Sequence, residues 1–198
     1  MRWKLWVAVA VLSVALVGCQ NMSMKSGSSE FVKPDIQLEM FEVPQYDGYW
    51  YYSKGVEPTK GEPDDRGAPL PMSFLFSVNN PNSQPALIEE LKFTVAFEGF
   101  SVVTVNMQDD YWIPANKTDH VRATTMITVR SALLNLLVTG GFQLKEKGMT
   151  AWDTLERWWT GVPDLSVPVQ VTEGTVIYRT ADGKSVVDSF SFTFPPAE

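Results

Sequence analysis

The chain has 198 residues, 44% of them hydrophobic, with 16 basic against 23 acidic side chains, one cysteine and one histidine. A formal charge of -7 argues against nucleic-acid binding, which needs clustered Lys and Arg to neutralise phosphates, and against adhesion to an anionic membrane face, which leaves anchoring to a lipid. A single cysteine excludes an internal disulfide and a cysteine-rich metal site.

Residues 1–18 have the grammar of a signal peptide. Arg2 and Lys4 supply a cationic start, Leu5 to Val17 an apolar core, and Leu16-Val17-Gly18-Cys19 a terminus. The apolar run falls short of the roughly 20 residues that a membrane-spanning helix needs. The Leu-Val-Gly-Cys sequence resembles a lipobox, which implies cleavage before Cys19, lipidation of Cys19 and anchoring to a membrane through two or three acyl chains. The resemblance also implies a bacterial cell-envelope location, and Gln20 after the cysteine favours the outer membrane facing the periplasm. Lipidation consumes the thiol and thereby excludes thiolate catalysis. Loss of Arg2 and Lys4 with the signal takes the formal charge of the mature chain from -7 to -9.

Residues 19–31 form the lipidated cysteine and a tether. The run Gln20 to Glu30 is small and polar without apolar periodicity, and a coil of that kind spans about 20 Å on average. Residues 32–196 are expected to make one domain, long enough to bury a core of its own.

Within that domain, alternation of apolar and polar residues predicts half-buried strands. Ile36, Leu38 and Met40 mark the first; Met72, Phe74, Phe76 and Val78 the next, stopped by Asn79-Asn80-Pro81-Asn82. Proline lacks an amide donor and asparagine tolerates turns. Leu91, Phe93, Val95 and Phe97 form another stripe, broken at Gly99 and resumed over Ser101 to Val105. Val121 to Val129 is a long strand rich in threonine, followed by a short helix over Ser131 to Val138 with Ser131 as its cap. A second helix, Thr150 to Thr160, starts with Thr150 and Asp153 and ends before Gly161 and Pro163. On it Trp152, Leu155 and Trp159 share a face expected to seal one end of the fold, with Asp153 and Arg157 as an i,i+4 pair. Val167 to Val171, Thr175 to Arg179 and Val186 to Phe194 close the chain, the last two joined through Asp182-Gly183, a hairpin signal. The sum is a mainly β chain: an antiparallel β-sandwich with one or two short helices.

The segment from Pro44 to Pro71, residues 44–71, interrupts this as an inserted loop. It contains Tyr49-Trp50-Tyr51-Tyr52. Neighbouring residues on a strand face opposite ways, so these four aromatics cannot all enter the core. Tyr49, Trp50, Tyr51 and Tyr52 are therefore the candidate binding surface, suited to an envelope protein or a cell-wall glycan, while Tyr111-Trp112 and Trp158-Trp159 offer further flat amphipathic rings.

The run Phe74 to Asn82, with its strand and Asn-Pro-Asn turn, resembles the LEA14-like family, also called the water-stress and hypersensitive-response (WHy) or LEA type 2 domain. The later order is similar: Leu91 to Val105, Ile113-Pro114-Ala115, Val121 to Val129, Ala132 to Val138 and Val167 to Phe194. The resemblance covers about residues 70 to 195 and implies an immunoglobulin- or fibronectin-like sandwich with a non-enzymatic role in stress or desiccation protection. The 44–71 insertion and the Trp152 to Trp159 helix depart from the family pattern.

Catalytic chemistry has little to stand on. His120, beside Asp119, lacks a nucleophile-elbow context, and the acidic pairs Asp109-Asp110, Glu89-Glu90 and Asp64-Asp65 lack calcium-loop spacing. No enzyme activity, metal or cofactor is expected. The expected function is a lipid-anchored, stress-protective or binding module; the alternatives are a scaffold subunit of an envelope assembly, a glycan-binding module, or a hydrolase centred on His120.

Overall fold

The computed structural model describes residues 30–46 and 69–196. Cys19, the tether as far as residue 29, and the aromatics Tyr49, Trp50, Tyr51 and Tyr52 lie outside the described residues, as does most of the 44–71 insertion, while Phe31, expected in the tether, packs against the core.

Two antiparallel sheets face each other. One has the order β1 (Asp35–Glu42), β2 (Pro69–Asn80), β6 (Lys117–Thr128). The other has the order β4 (Phe100–Met107), β3 (Ala86–Phe97), β7 (Val169–Arg179), β8 (Ser185–Phe194), with the short β5 (Tyr111–Ile113) continuing β4's edge of β3. The expected β-sandwich is what forms. Between β6 and β7 stand three helices, α1 (Val129–Val138), α2 (Gly141–Glu146) and α3 (Ala151–Gly161).

Alternating stripes build the core as the strand period requires. Met72, Phe74, Phe76 and Val78 face Leu91, Phe93, Val95 and Phe97, and all are buried. Phe93 meets Phe74 and Phe76 edge-on across the sheets, at 5.1 and 5.4 Å between ring centres, an arrangement that aligns ring edge with ring face. Phe190 reaches Phe76 at 5.7 Å. In β7 the register slips between Val171 and Gly174, and Phe190 lies over Gly174 in place of a side chain there.

Several details differ from the sequence reading: one or two helices were expected and α2 is a third, and Val169–Arg179 is one strand rather than two. Met40 is exposed and Phe41 is buried instead, because a bulge between Leu38 and Met40 shifts the strand's faces by one residue. Helix α1 starts earlier than Ser131: Thr128 is its N-cap and accepts from Ser131 N, while Ser131 bonds back to Thr128 N. Ser131 is thus the third helical residue of a capping box rather than the cap. In α3, Thr150 caps as expected by accepting from Asp153 N, but Trp152 is exposed and the buried stripe is Leu155, Trp158, Trp159 and Val162. That stripe is the i, i+3, i+4, i+7 face, so neither Trp158 nor Trp159 is available as a surface aromatic. Arg157 turns from Asp153 to Glu98.

Candidate functional site

The two ends of the sandwich are built differently, and the difference defines the site. At one end the Asn-Pro-Asn turn acts as a clamp. Asn80 is fully buried. Its amide donates to Gln84 O, Ile113 O and Pro114 O at 3.0, 3.2 and 3.2 Å, and its oxygen accepts from Asn82 N and Nδ2 at 3.1 and 2.8 Å. A buried amide satisfied on both sides holds the turn against the β5–β6 connection. Asn82 in turn binds Val32, and Asn79 donates to Thr118 Oγ1 at 3.0 Å. These asparagines hold the β2–β3 turn, the β5–β6 connection and the segment before β1 together.

The opposite end carries the helices. The β3–β4 hairpin turns through Glu98 and Gly99, both with positive φ (51° and 85°), as a two-residue turn of its hand demands. The turn is pinned to the helices. Lys147 Nζ donates to Glu98 O at 2.7 Å, and the Glu98 carboxylate accepts from Arg157 Nη2 at 2.7 Å and from the Trp158 indole at 2.8 Å. Trp158 packs on Phe97 and Phe100 at 5.4 and 5.7 Å, and Asn135 of α1 donates to Val102 O at 2.7 Å. A groove of about 340 Å³ runs between the hairpin and α1–α2, lined by Phe100, Val102, Asn135, Thr139 and Gln143 among others.

Helix α1 is apolar on more than one side. Ala132 and Leu136 face the core, whereas Leu134, Leu137 and Val138 are 54, 59 and 79% exposed and Phe142, at the start of α2, is 89% exposed. Leu134, Leu137 and Val138 follow i, i+3, i+4 and share one outer face. Large apolar side chains gathered on a surface mark a contact site more often than scattered ones do. This face was not singled out in the sequence, although the run Leu133-Leu134-Asn135-Leu136-Leu137-Val138 holds more apolar residues than one buried stripe can use.

His120 stands elsewhere. Its Nε2 bonds Glu39 Oε2 at 2.8 Å, both groups half exposed, and its backbone N–H donates to Asp119 Oδ1. Ser77 is its cross-strand neighbour on the outer side of the three-stranded sheet. Glu89 pairs with Arg179 and accepts from Ser185. Among the described residues no group of three His, Cys, Asp or Glu side chains gathers as a metal site requires. Trp112 is exposed and Tyr111 half-buried.

Comparison with known protein families and with curated proteins returns no match. Among solved structures, the fold is similar to a protein from Archaeoglobus fulgidus at 8% identity, covering 85% of this chain and 98% of that one with a TM-score of 0.36. It is also similar to a Bordetella pertussis protein assigned as ApaA, at 8% identity, 82% and 94% coverage and a TM-score of 0.40. A protein assigned to the late embryogenesis abundant (LEA) class matches at 11% identity, 98% and 87% coverage and a TM-score of 0.29. Overlaps this loose carry no functional weight; strand order and register define the sandwich.

Proposed function

We propose that this chain is a lipid-anchored, non-enzymatic binding module of the bacterial cell envelope, a sandwich of the LEA14-like kind. The exposed apolar face of α1 and α2 carries the reading. Four large side chains in solvent at one end of a well-packed domain cost solubility and contribute nothing to its core. The Leu16-Val17-Gly18-Cys19 sequence supports an acyl anchor. The strand and Asn-Pro-Asn turn from Phe74 to Asn82 support the family likeness, and with it a protective role under water stress.

Crosslinking in intact cells, followed by mass spectrometry, tests this reading by comparing the native protein with Cys19→Ala. Crosslinks that depend on Cys19 support an anchored module. One dominant partner would identify a scaffold subunit of an assembly, and many weak ones a protective module. Identical crosslinks from both chains, with the native protein in the soluble fraction, would refute the anchored reading.

A further inference from the structure

The net charge of the chain hides an uneven distribution. Between Asp119 and Glu146 there is no acidic residue, while Arg122, Arg130 and Lys145 fall in that stretch and Lys147 follows it. Within α1, α2 and the residue that caps α2, the charges are Arg130, Lys145 and Lys147 against Glu146: three positive less one negative, or +2, on a mature chain of -9. The same short segment presents Leu134, Leu137, Val138 and Phe142 to solvent.

From this coincidence we infer that the outer face of α1 and the start of α2 docks onto an anionic lipid surface. It deepens the function proposed above by naming the partner, and it does not need the acyl chain. An apolar helix face flanked by cations enters the boundary between headgroups and acyl chains while an exposed cation such as Lys145 meets the anionic headgroups.

Chain lengths allow the same membrane to serve as anchor and dock. Strand β6 runs from Lys117, paired with Asn80 near the clamp, to Thr128, the cap of α1, and its 12 residues span about 36 to 40 Å. Cys19 to Phe31 is twelve peptide steps, or about 40 Å fully extended. A domain resting on α1 therefore reaches its anchor only with those steps drawn out to their full length.

The experiment uses the mature chain from residue 19 with Cys19→Ser, which carries no acyl group. Binding is measured by co-sedimentation with vesicles of phosphatidylethanolamine and phosphatidylglycerol, and with vesicles of phosphatidylcholine alone. The anionic vesicles should bind the chain, and raised salt should weaken binding. Leu137→Ser with Phe142→Ser should reduce binding about tenfold or more, and Lys145→Glu should reduce it for anionic vesicles only. These three side chains are exposed, and an unchanged thermal transition confirms that each variant is folded. Absence of binding to anionic vesicles, or equal binding by the double variant, would overturn the inference. So would a dimer in sedimentation that the double variant dissociates in place of vesicle binding, which would assign the face to a second copy of the chain. Because no acyl group is present, a failure here leaves the anchor untouched, and a failure to find acylated Cys19 leaves this result standing.

Discussion

Asn82 and Val32 hold each other through a reciprocal pair of hydrogen bonds: Val32 N donates to Asn82 Oδ1 at 2.9 Å, and Asn82 Nδ2 donates to Val32 O at 2.7 Å. The side-chain amide plays the part of a neighbouring strand for a segment that precedes β1. Because Asn82 is itself bound to the buried Asn80, a pull on the residues before Val32 is delivered to the β2–β3 turn. Asn80→Ala should cost about 3 kcal/mol, since it strands three carbonyls away from their donor. Asn82→Ala should cost about 1 kcal/mol and speed amide exchange at Val32. Urea unfolding and hydrogen exchange separate the two.

Gly174 is predicted to admit no side chain. A Cβ there would stand 2.5 Å from both Cε2 and the backbone oxygen of Phe190. Gly174→Ala should lower stability by about 2 to 3 kcal/mol through overpacking. Adding Phe190→Leu should recover only part of the loss, because the backbone oxygen remains. A double-mutant cycle by chemical unfolding measures the coupling.

Glu98 binds two partners of different value. Its pair with Arg157 is partly exposed and screened, while the Trp158 indole it accepts from belongs to a fully buried ring. Glu98→Gln keeps an acceptor and should cost less than about 1 kcal/mol. Glu98→Ala removes the indole's acceptor and should cost about 2 kcal/mol, read from thermal unfolding.

Tyr178 has a buried hydroxyl with no hydrogen-bond partner among the described residues. Burial, reinforced by the charges of Asp188 and Asp35, raises its pKa above the ordinary tyrosine range. Tyr178→Phe should hold or raise stability by up to about 1 kcal/mol at neutral pH. A raised folded pKa gives a contribution fully present below the unfolded value near about 10 and lost as the unfolded state ionises above it. Above that pH the native protein should lose stability faster than Tyr178→Phe.

Asp182 gives the opposite sign. Its carboxylate accepts from Lys184 Nζ at 2.7 Å and from the Thr180 hydroxyl, and these bonds lower its pKa to about 2. The contribution of the ionised form is therefore present above the unfolded value of about 4 and lost as pH falls through about 2. Carboxyl NMR should follow that titration, and Asp182→Asn should abolish it.

The sandwich was readable because its signal is local: large apolar residues recur at every second position from Met72 to Val78 and from Leu91 to Phe97, and the Asp182-Gly183 hairpin and the Thr150 cap are set by nearest neighbours. Met40 and Trp152 were misplaced for reasons beyond their windows. A bulge changes the face of β1 without changing its composition, and the burial of Trp158 depends on Glu98, sixty residues away. The clamp of Asn80 and Asn82 looked like turn chemistry alone because Ile113 and Val32 are remote in sequence. The apolar outer face of α1 was partly legible. Too many leucines for one buried stripe should have signalled a second face, but only the packed fold shows which side lies open.

The most direct test of the anchored-module account is the mass of the N-terminal peptide from protein extracted out of cell membranes. The account predicts a peptide that begins at Cys19 and carries diacylglycerol on its thiol, with Met1 to Gly18 removed. A peptide that begins at Met1, or an unmodified Cys19 in protein recovered from the soluble fraction, would contradict it.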